Sequence, residues 1–182
     1  LTRIHDALAA RECRMMVWHD MLLRKGDPRW KGYYANGAAW ADALLDALPR
    51  DVVICDWFYE PPVKGEKEGQ TFPTLRHFKS KGFPVLACPW ENRAGYEAQG
   101  GAVQALGLDG MLSTTWHHVY GLSMHPIYWN AAHAMWGTRP FSSDRLVFTH
   151  HLRQVGWDIP VKDYRDTGFY HYQLPEHNHS PR

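Results

Sequence analysis

Four short apolar runs recur along this chain, and each ends in a tryptophan flanked by polar groups. They read Arg14-Met-Met-Val-Trp-His-Asp-Met21, Asp51-Val-Val-Ile-Cys-Asp-Trp-Phe-Tyr-Glu60, Phe83-Pro-Val-Leu-Ala-Cys-Pro-Trp-Glu-Asn92 and Gly110-Met-Leu-Ser-Thr-Thr-Trp-His-His118. Short apolar runs bounded by turn formers have the length of strands. A strand apolar on both faces belongs in a parallel sheet covered on each side, not in an antiparallel sheet with one wet face. The tryptophans at 18, 57, 90 and 116 lie 39, 33 and 26 positions apart. Each gap has room for a loop, a crossover helix and the next strand, as a parallel connection requires. Sheets of this kind carry their functional groups at the C-terminal strand ends, and the tryptophans share that place.

The stretches between the runs fit that scheme. Residues 1–14 place Leu1, Ile4 and Leu8 at helical spacing, and the first strand follows over 15–18. A loop with Gly and Pro breakers covers 22–34, long enough to be a functional one. Helical spacing returns over 38–48, with Trp40, Leu44, Leu45 and Leu48 on one side, and Pro49 stops it. The second strand is 52–55. Polar residues 60–70 read as an exposed excursion at the site face. A short helix over 74–81 ends at Gly82, and the third strand is 84–88. Helices over 96–106 and 127–136 flank a fourth strand at 111–115. Ser142 or Ser143 can cap a last helix over 144–154, with Asp144 in its first turn. Beyond Gly156 the chain is rich in Tyr, His and Pro, and irregular structure is expected.

No GxGxxG follows any strand, and no earlier strands complete a doubly wound sheet. The simplest complete form is a barrel of eight βα units. The expected fold is therefore α/β, with parallel (β/α) units forming the second half of a TIM barrel: four strands with flanking helices over 1–156, and an irregular tail over 157–182. Leu1 falls inside a helical pattern, so a segment of a longer protein is expected.

Composition narrows the partners. The 182 residues suffice for one domain with a sizeable core. With 20 basic and 19 acidic side chains and no basic stripe, a nucleic-acid partner is not expected. No apolar run reaches spanning length, so neither is a membrane. Cys13, Cys55 and Cys88 have no CxxC spacing; the last two lie in apolar strands and read as buried thiols, with the compartment left open. Most of the nine Trp and nine Tyr serve core packing, but the four strand-end tryptophans are set apart by their common location.

Taken together, Val17-Trp-His-Asp-Met-Leu22, Asp51-Val-Val-Ile-Cys-Asp-Trp57, Val85-Leu-Ala-Cys-Pro-Trp90 and Gly110-Met-Leu-Ser-Thr-Thr-Trp116 resemble glycoside hydrolase family 20, the β-N-acetylhexosaminidases. The similarity is to the last four strands of that family's catalytic barrel and covers about residues 1–136. The resemblance implies a hydrolase of terminal N-acetylhexosamine residues that needs no cofactor. In that family the substrate's acetamido oxygen attacks the anomeric carbon, a Glu protonates the leaving oxygen, and a neighbouring Asp orients the acetamido group. That Asp-Glu pair ends the strand that would lie upstream of Leu1, and no Asp-Glu dipeptide occurs in this chain. By the resemblance, Trp18, Trp57 and Trp116 line the pocket around the acetamido group and sugar ring. Trp90 stands where the family usually carries Tyr, Asn92 where it carries Asp, and His118 where it carries an acid that holds sugar hydroxyls.

Other readings of the same residues stay open. Asp20 can hold sugar hydroxyls at the rim or accept from a loop amide. Asp56 alternates with Trp57 and points to the opposite side of its strand, in a structural role. Tyr59 and Glu60 sit at the rim as ligand candidates, and Glu91 alternates with Trp90 and Asn92. His19, Asp20, His117 and His118 raise the alternative of a metal-dependent barrel hydrolase. Adjacent His117 and His118 cannot both point inward, so no metal is expected. His177 and His179 lie in a polar tail. A third reading is a non-catalytic carbohydrate-binding or scaffold segment. Four parallel strands would leave two free edges and one open face, to be covered by the missing N-terminal half of the barrel or by a second copy.

Overall fold

The computed structural model describes residues 1–65, 71–90 and 92–114, together with residues 132, 135 and 136. Helices and strands alternate: α1 (Thr2–Ala9), β1 (Met16–Trp18), α2 (Ala41–Ala47), β2 (Val53–Trp57), α3 (Pro73–Ser80), β3 (Val85–Cys88), α4 (Arg93–Leu106) and β4 (Gly110–Met111). The chain is an α/β protein with one four-stranded parallel sheet, ordered β1-β2-β3-β4. Val17 pairs with Ile54, Ile54 with Val85, and Ala87 with Met111. Parallel crossovers are right-handed, so strands laid down in chain order send every crossover to the same face. Among the described residues no helix is long and apolar enough to cross a membrane.

Alternation along the strands separates two faces. Ile54, Asp56, Val85, Ala87 and Met111 share the face on which Leu75 and Phe78 of α3 are buried. Full burial of an aliphatic or aromatic side chain is worth about 1.5–3 kcal/mol, so this layer holds the sheet together. Met16, Trp18, Val53, Cys55, Trp57, Leu86 and Cys88 share the other face. Every residue of β2 before Trp57 is buried, as a strand covered on both sides requires.

Several boundaries differ from the sequence expectation. The first helix stops at Ala9 instead of residue 14 because the chain must turn into β1: Cys13 N–H closes on the Leu8 carbonyl and Glu12 adopts φ 57°. α1 fully buries none of its residues: of its apolar stripe Leu1 and Ile4 face solvent, while Leu8 is partly buried against the core. α2 begins at Ala41, and Trp40 is its exposed N-cap residue, not a member of the packed side. Gly37 is still outside the helix, its N–H bonded to the Leu23 carbonyl and its backbone bridged to Arg24. A Cβ on Gly37 would lie 2.5 Å from the Met21 carbonyl oxygen and 2.7 Å from that of Leu23. β2 runs on to Trp57, so Asp56 and Trp57 belong to the strand itself. α4 begins at Arg93, three residues early, because the Asn92 carboxamide accepts from Gly95 N–H and caps it. β4 has only two residues. Ala132, Met135 and Trp136 are helical, and Met135 packs on the core. The rest of the expected 127–136 helix, the helix over 144–154 and the tail lie outside the described residues.

Candidate functional site

The C-terminal ends of β1, β2 and β3 meet at a continuous run of aromatic rings. Trp57 ends β2, and the Tyr34 ring stacks on its indole at 4.0 Å between centroids and 27° between planes. Tyr59 lies 5.2 Å from Trp57, and Trp90 lies 5.3 Å from Tyr59, edge to face at 69°. Trp90 is itself buried and belongs to the core cluster, so it anchors the inner end of the wall. Trp57, Tyr34 and Tyr59 are half-buried and form the part that solvent reaches.

Polar groups fix these rings. The indole N–H of Trp57 donates to Asp20 Oδ1 at 3.1 Å, while Asp20 Oδ2 accepts from the Asn36 carboxamide at 3.0 Å. Asn36 N–H also reaches the Asp20 carbonyl, at 2.8 Å. Both oxygens of Asp20 are therefore engaged inside the protein, one by an indole and one by a loop amide. At the other end of the wall, Asn92 Nδ2 donates to Glu60 Oε2 at 3.4 Å while its Oδ1 caps α4. Gly95 lets the first turn of α4 approach the Tyr59 carbonyl, which a Cβ would meet at 3.0 Å. The Tyr34 phenol is pushed above its ordinary value by burial and then by the negative charge of Glu60, so it keeps its proton at neutral pH.

Beneath the wall lies a buried polar pair. His19 and Asp56 are 1% and 2% exposed, with His19 Nε2 at 3.4 Å from Asp56 Oδ1. His19 Nδ1 accepts from Trp57 N–H at 3.2 Å, which puts the ring proton on Nε2, facing the carboxylate. His19 N–H donates to the Cys55 carbonyl at 3.1 Å. One histidine thus ties β1 to β2 through both backbone and ring. Burial pushes the Asp56 carboxyl above its ordinary value, against the opposing pull of His19 and Thr74. On the opposite sheet face, Cys88 is pushed up by the neighbouring Cys55 thiol and by burial, so it stays a protonated thiol.

The long loop between β1 and α2 is internally braced. Asp27 accepts from Arg29 through its side chain at 2.7 Å and its backbone N–H at 2.9 Å, and these bonds hold its carboxyl at about 2. An open depression of about 270 Å³ beside Asp27 is lined by Pro28, Trp30, Lys31 and Tyr33.

Trp57, Tyr59, Trp90, Asp20 and Asn92 are therefore brought into one neighbourhood. Trp18 lies on the same sheet face as Trp57, at the edge strand, and is 45% exposed. Trp116 and His118 lie outside the described residues, as do Glu91, His117, His177 and His179. The metal alternative loses one of its members, because both ring nitrogens of His19 are occupied by protein groups. Among the described residues no cluster of three or more His, Cys, Asp or Glu is arranged to hold a metal ion. Sequence reasoning missed Tyr34 and Asn36. The available signal was the aromatic content of the loop between β1 and α2, where Trp30, Tyr33 and Tyr34 lie close together in sequence, since loops rarely spend several aromatics without a packing or binding use.

Comparison with models of known protein families gives no match, and comparison with curated proteins gives none either.

Proposed function

We propose that this chain supplies the sugar-binding half of a glycoside hydrolase acting on terminal N-acetylhexosamine residues by substrate-assisted retaining hydrolysis, in the manner of glycoside hydrolase family 20. The supporting observation is the aromatic wall Tyr34–Trp57–Tyr59–Trp90 at the C-terminal end of a parallel sheet, with its central indole oriented by Asp20. Apolar sugar faces stack on such rings, and polar rim groups select the hydroxyls. Sequential strand order with all crossovers on one face is the topology of half a (β/α)8 barrel, which supports that finer fold reading. By the resemblance Trp18, Trp116 and His118 belong to the same sugar-binding set.

The same reading assigns a cover to the open sheet face, where Met16 and Trp18 are exposed and, among the described residues, β1 and β4 are each paired on one side only. That cover is the remaining half of a barrel or a second copy of this chain. The alternative is a non-catalytic carbohydrate-binding or scaffold role for this segment, and the lack of an Asp-Glu dipeptide in this chain is compatible with either reading. An assay of the full-length protein on a chromogenic N-acetylglucosaminide separates the two. Turnover that falls on Trp57→Ala supports the hydrolase. Binding of N-acetylglucosamine without turnover supports the scaffold, and neither turnover nor binding removes the carbohydrate reading.

A further inference from the structure

Tyr34 stands apart from the other aromatics of the wall because it arrives from a loop. Its separations from Trp57 and Tyr59 are 4.0 and 6.4 Å, and those two rings are 5.2 Å apart. These three lengths make a triangle with its near-right angle at Trp57. Tyr34 therefore lies over one face of the indole, and Tyr59 stands beside the ring. The indole cannot turn to present its covered face, because Asp20 holds its N–H. Tyr34 is equally constrained. Two residues later Asn36 is bonded to Asp20 through backbone and side chain, and Gly37 is bonded to Leu23 at 2.8 Å in a space that admits no Cβ.

We propose that Tyr34 is a positioning residue of the saccharide site: by occupying one face of Trp57 it leaves only the opposite face for a pyranose ring. The inference rests on the carbohydrate reading above and adds a specificity element to it. A free indole offers two equivalent faces to the C–H surface of a sugar. Blocking one face selects a single pose, with Tyr59 as the side wall against the ring edge. Stacking needs the aromatic ring of Tyr34 and not its hydroxyl, so the two parts of the side chain separate in experiment.

The test is titration of the full-length protein with N-acetylglucosamine, following the Trp57 indole N–H resonance, identified by its loss in Trp57→Phe. Tyr34→Leu is expected to bind about tenfold more weakly, because the Trp57 indole loses the stacked ring that holds it in one pose, and to shift the Trp57 resonance in the free protein. Tyr34→Phe is expected to restore wild-type affinity. Where Tyr34→Leu does not fold, Tyr34→Met takes its place with similar apolar bulk. Unchanged affinity in the Leu or Met variant overturns the inference while leaving the carbohydrate reading intact. Equal weakening in Tyr34→Phe also overturns it, because the hydroxyl would then be the active part. Absence of any saccharide binding by the wild-type protein, with no shift of the Trp57 resonance, overturns the carbohydrate reading and the inference together.

Discussion

On the helix-facing side of the sheet, Ile54, Asp56, Val85, Ala87 and Met111 are all buried. On the opposite side, Met16 and Trp18 are 49% and 45% exposed, although Val53, Cys55 and Cys88 nearby are buried. Both faces come from the same short strands, residue by residue in alternation. The helix-facing layer is closed over β2, β3 and β4 by α3 and α4, while Val17 of β1 is only half-buried. The other layer is finished at the centre and open at the β1 edge, where α1 also leaves Leu1 and Ile4 uncovered. An apolar edge of that kind is a surface for further structure or a partner, and the aromatic wall grows from this same face.

Substitutions on the two sides give the comparison quantitative form. Phe78 has no exposure and lies under the sheet beside His19. Phe78→Ala is expected to cost about 3–5 kcal/mol in urea denaturation, as large-to-small changes in a packed core do; a cost below 1 kcal/mol would mean that the helix layer is not the core. His19→Ala comes next, at about 2–4 kcal/mol. It strands the Trp57 N–H and leaves Asp56 buried without its imidazole. Its second readout is the Trp57 indole resonance, which is expected to broaden or move.

Asp56→Asn is a smaller and pH-dependent change. An acid raised by burial keeps its proton longer in the folded state than in the unfolded one. Wild-type stability therefore falls as pH rises above the ordinary carboxylate value of about 3.9, until the raised value is passed. The asparagine variant lacks this loss, so its stability relative to wild type is expected to increase between pH 4 and pH 8. A pH-independent difference would show that the ionised form is fully compensated by His19 and Thr74. The smallest effect is expected on the open side, where Trp18→Ser should change stability by no more than about 0.5 kcal/mol. A large loss there would mean that Trp18 is already covered in solution. Light scattering on the same pair sharpens the point, since removal of Trp18 should reduce association through the open face.

Much of the architecture was legible from residues 14–21, 51–60, 83–92 and 110–118. Apolar runs at crossover spacing allow little besides a parallel sheet, and that sheet is present in chain order. Boundaries were harder to read where one side chain or one close contact sets them. Asn92 looked like a strand-end site residue and also caps α4. Trp40 looked like part of an apolar helix face and sits exposed at the N-cap. Asp20 read as either a sugar ligand or a loop acceptor, and the structure gives it an indole and an asparagine amide. Tyr34 was legible only as one of several aromatics in its loop, because its partner, Trp57, is brought to it by a loop closure that no local pattern encodes.

Local chemistry alone settled the existence of four strands and their parallel pairing, because hydrophobic period and connection length are properties of short stretches. Only the folded chain decided which ring faces which, which oxygen holds Trp57, and that His19 and Asp56 meet beneath it. Those outcomes depend on contacts between residues distant in sequence, where a shift of one position along a strand exchanges the buried face for the open one.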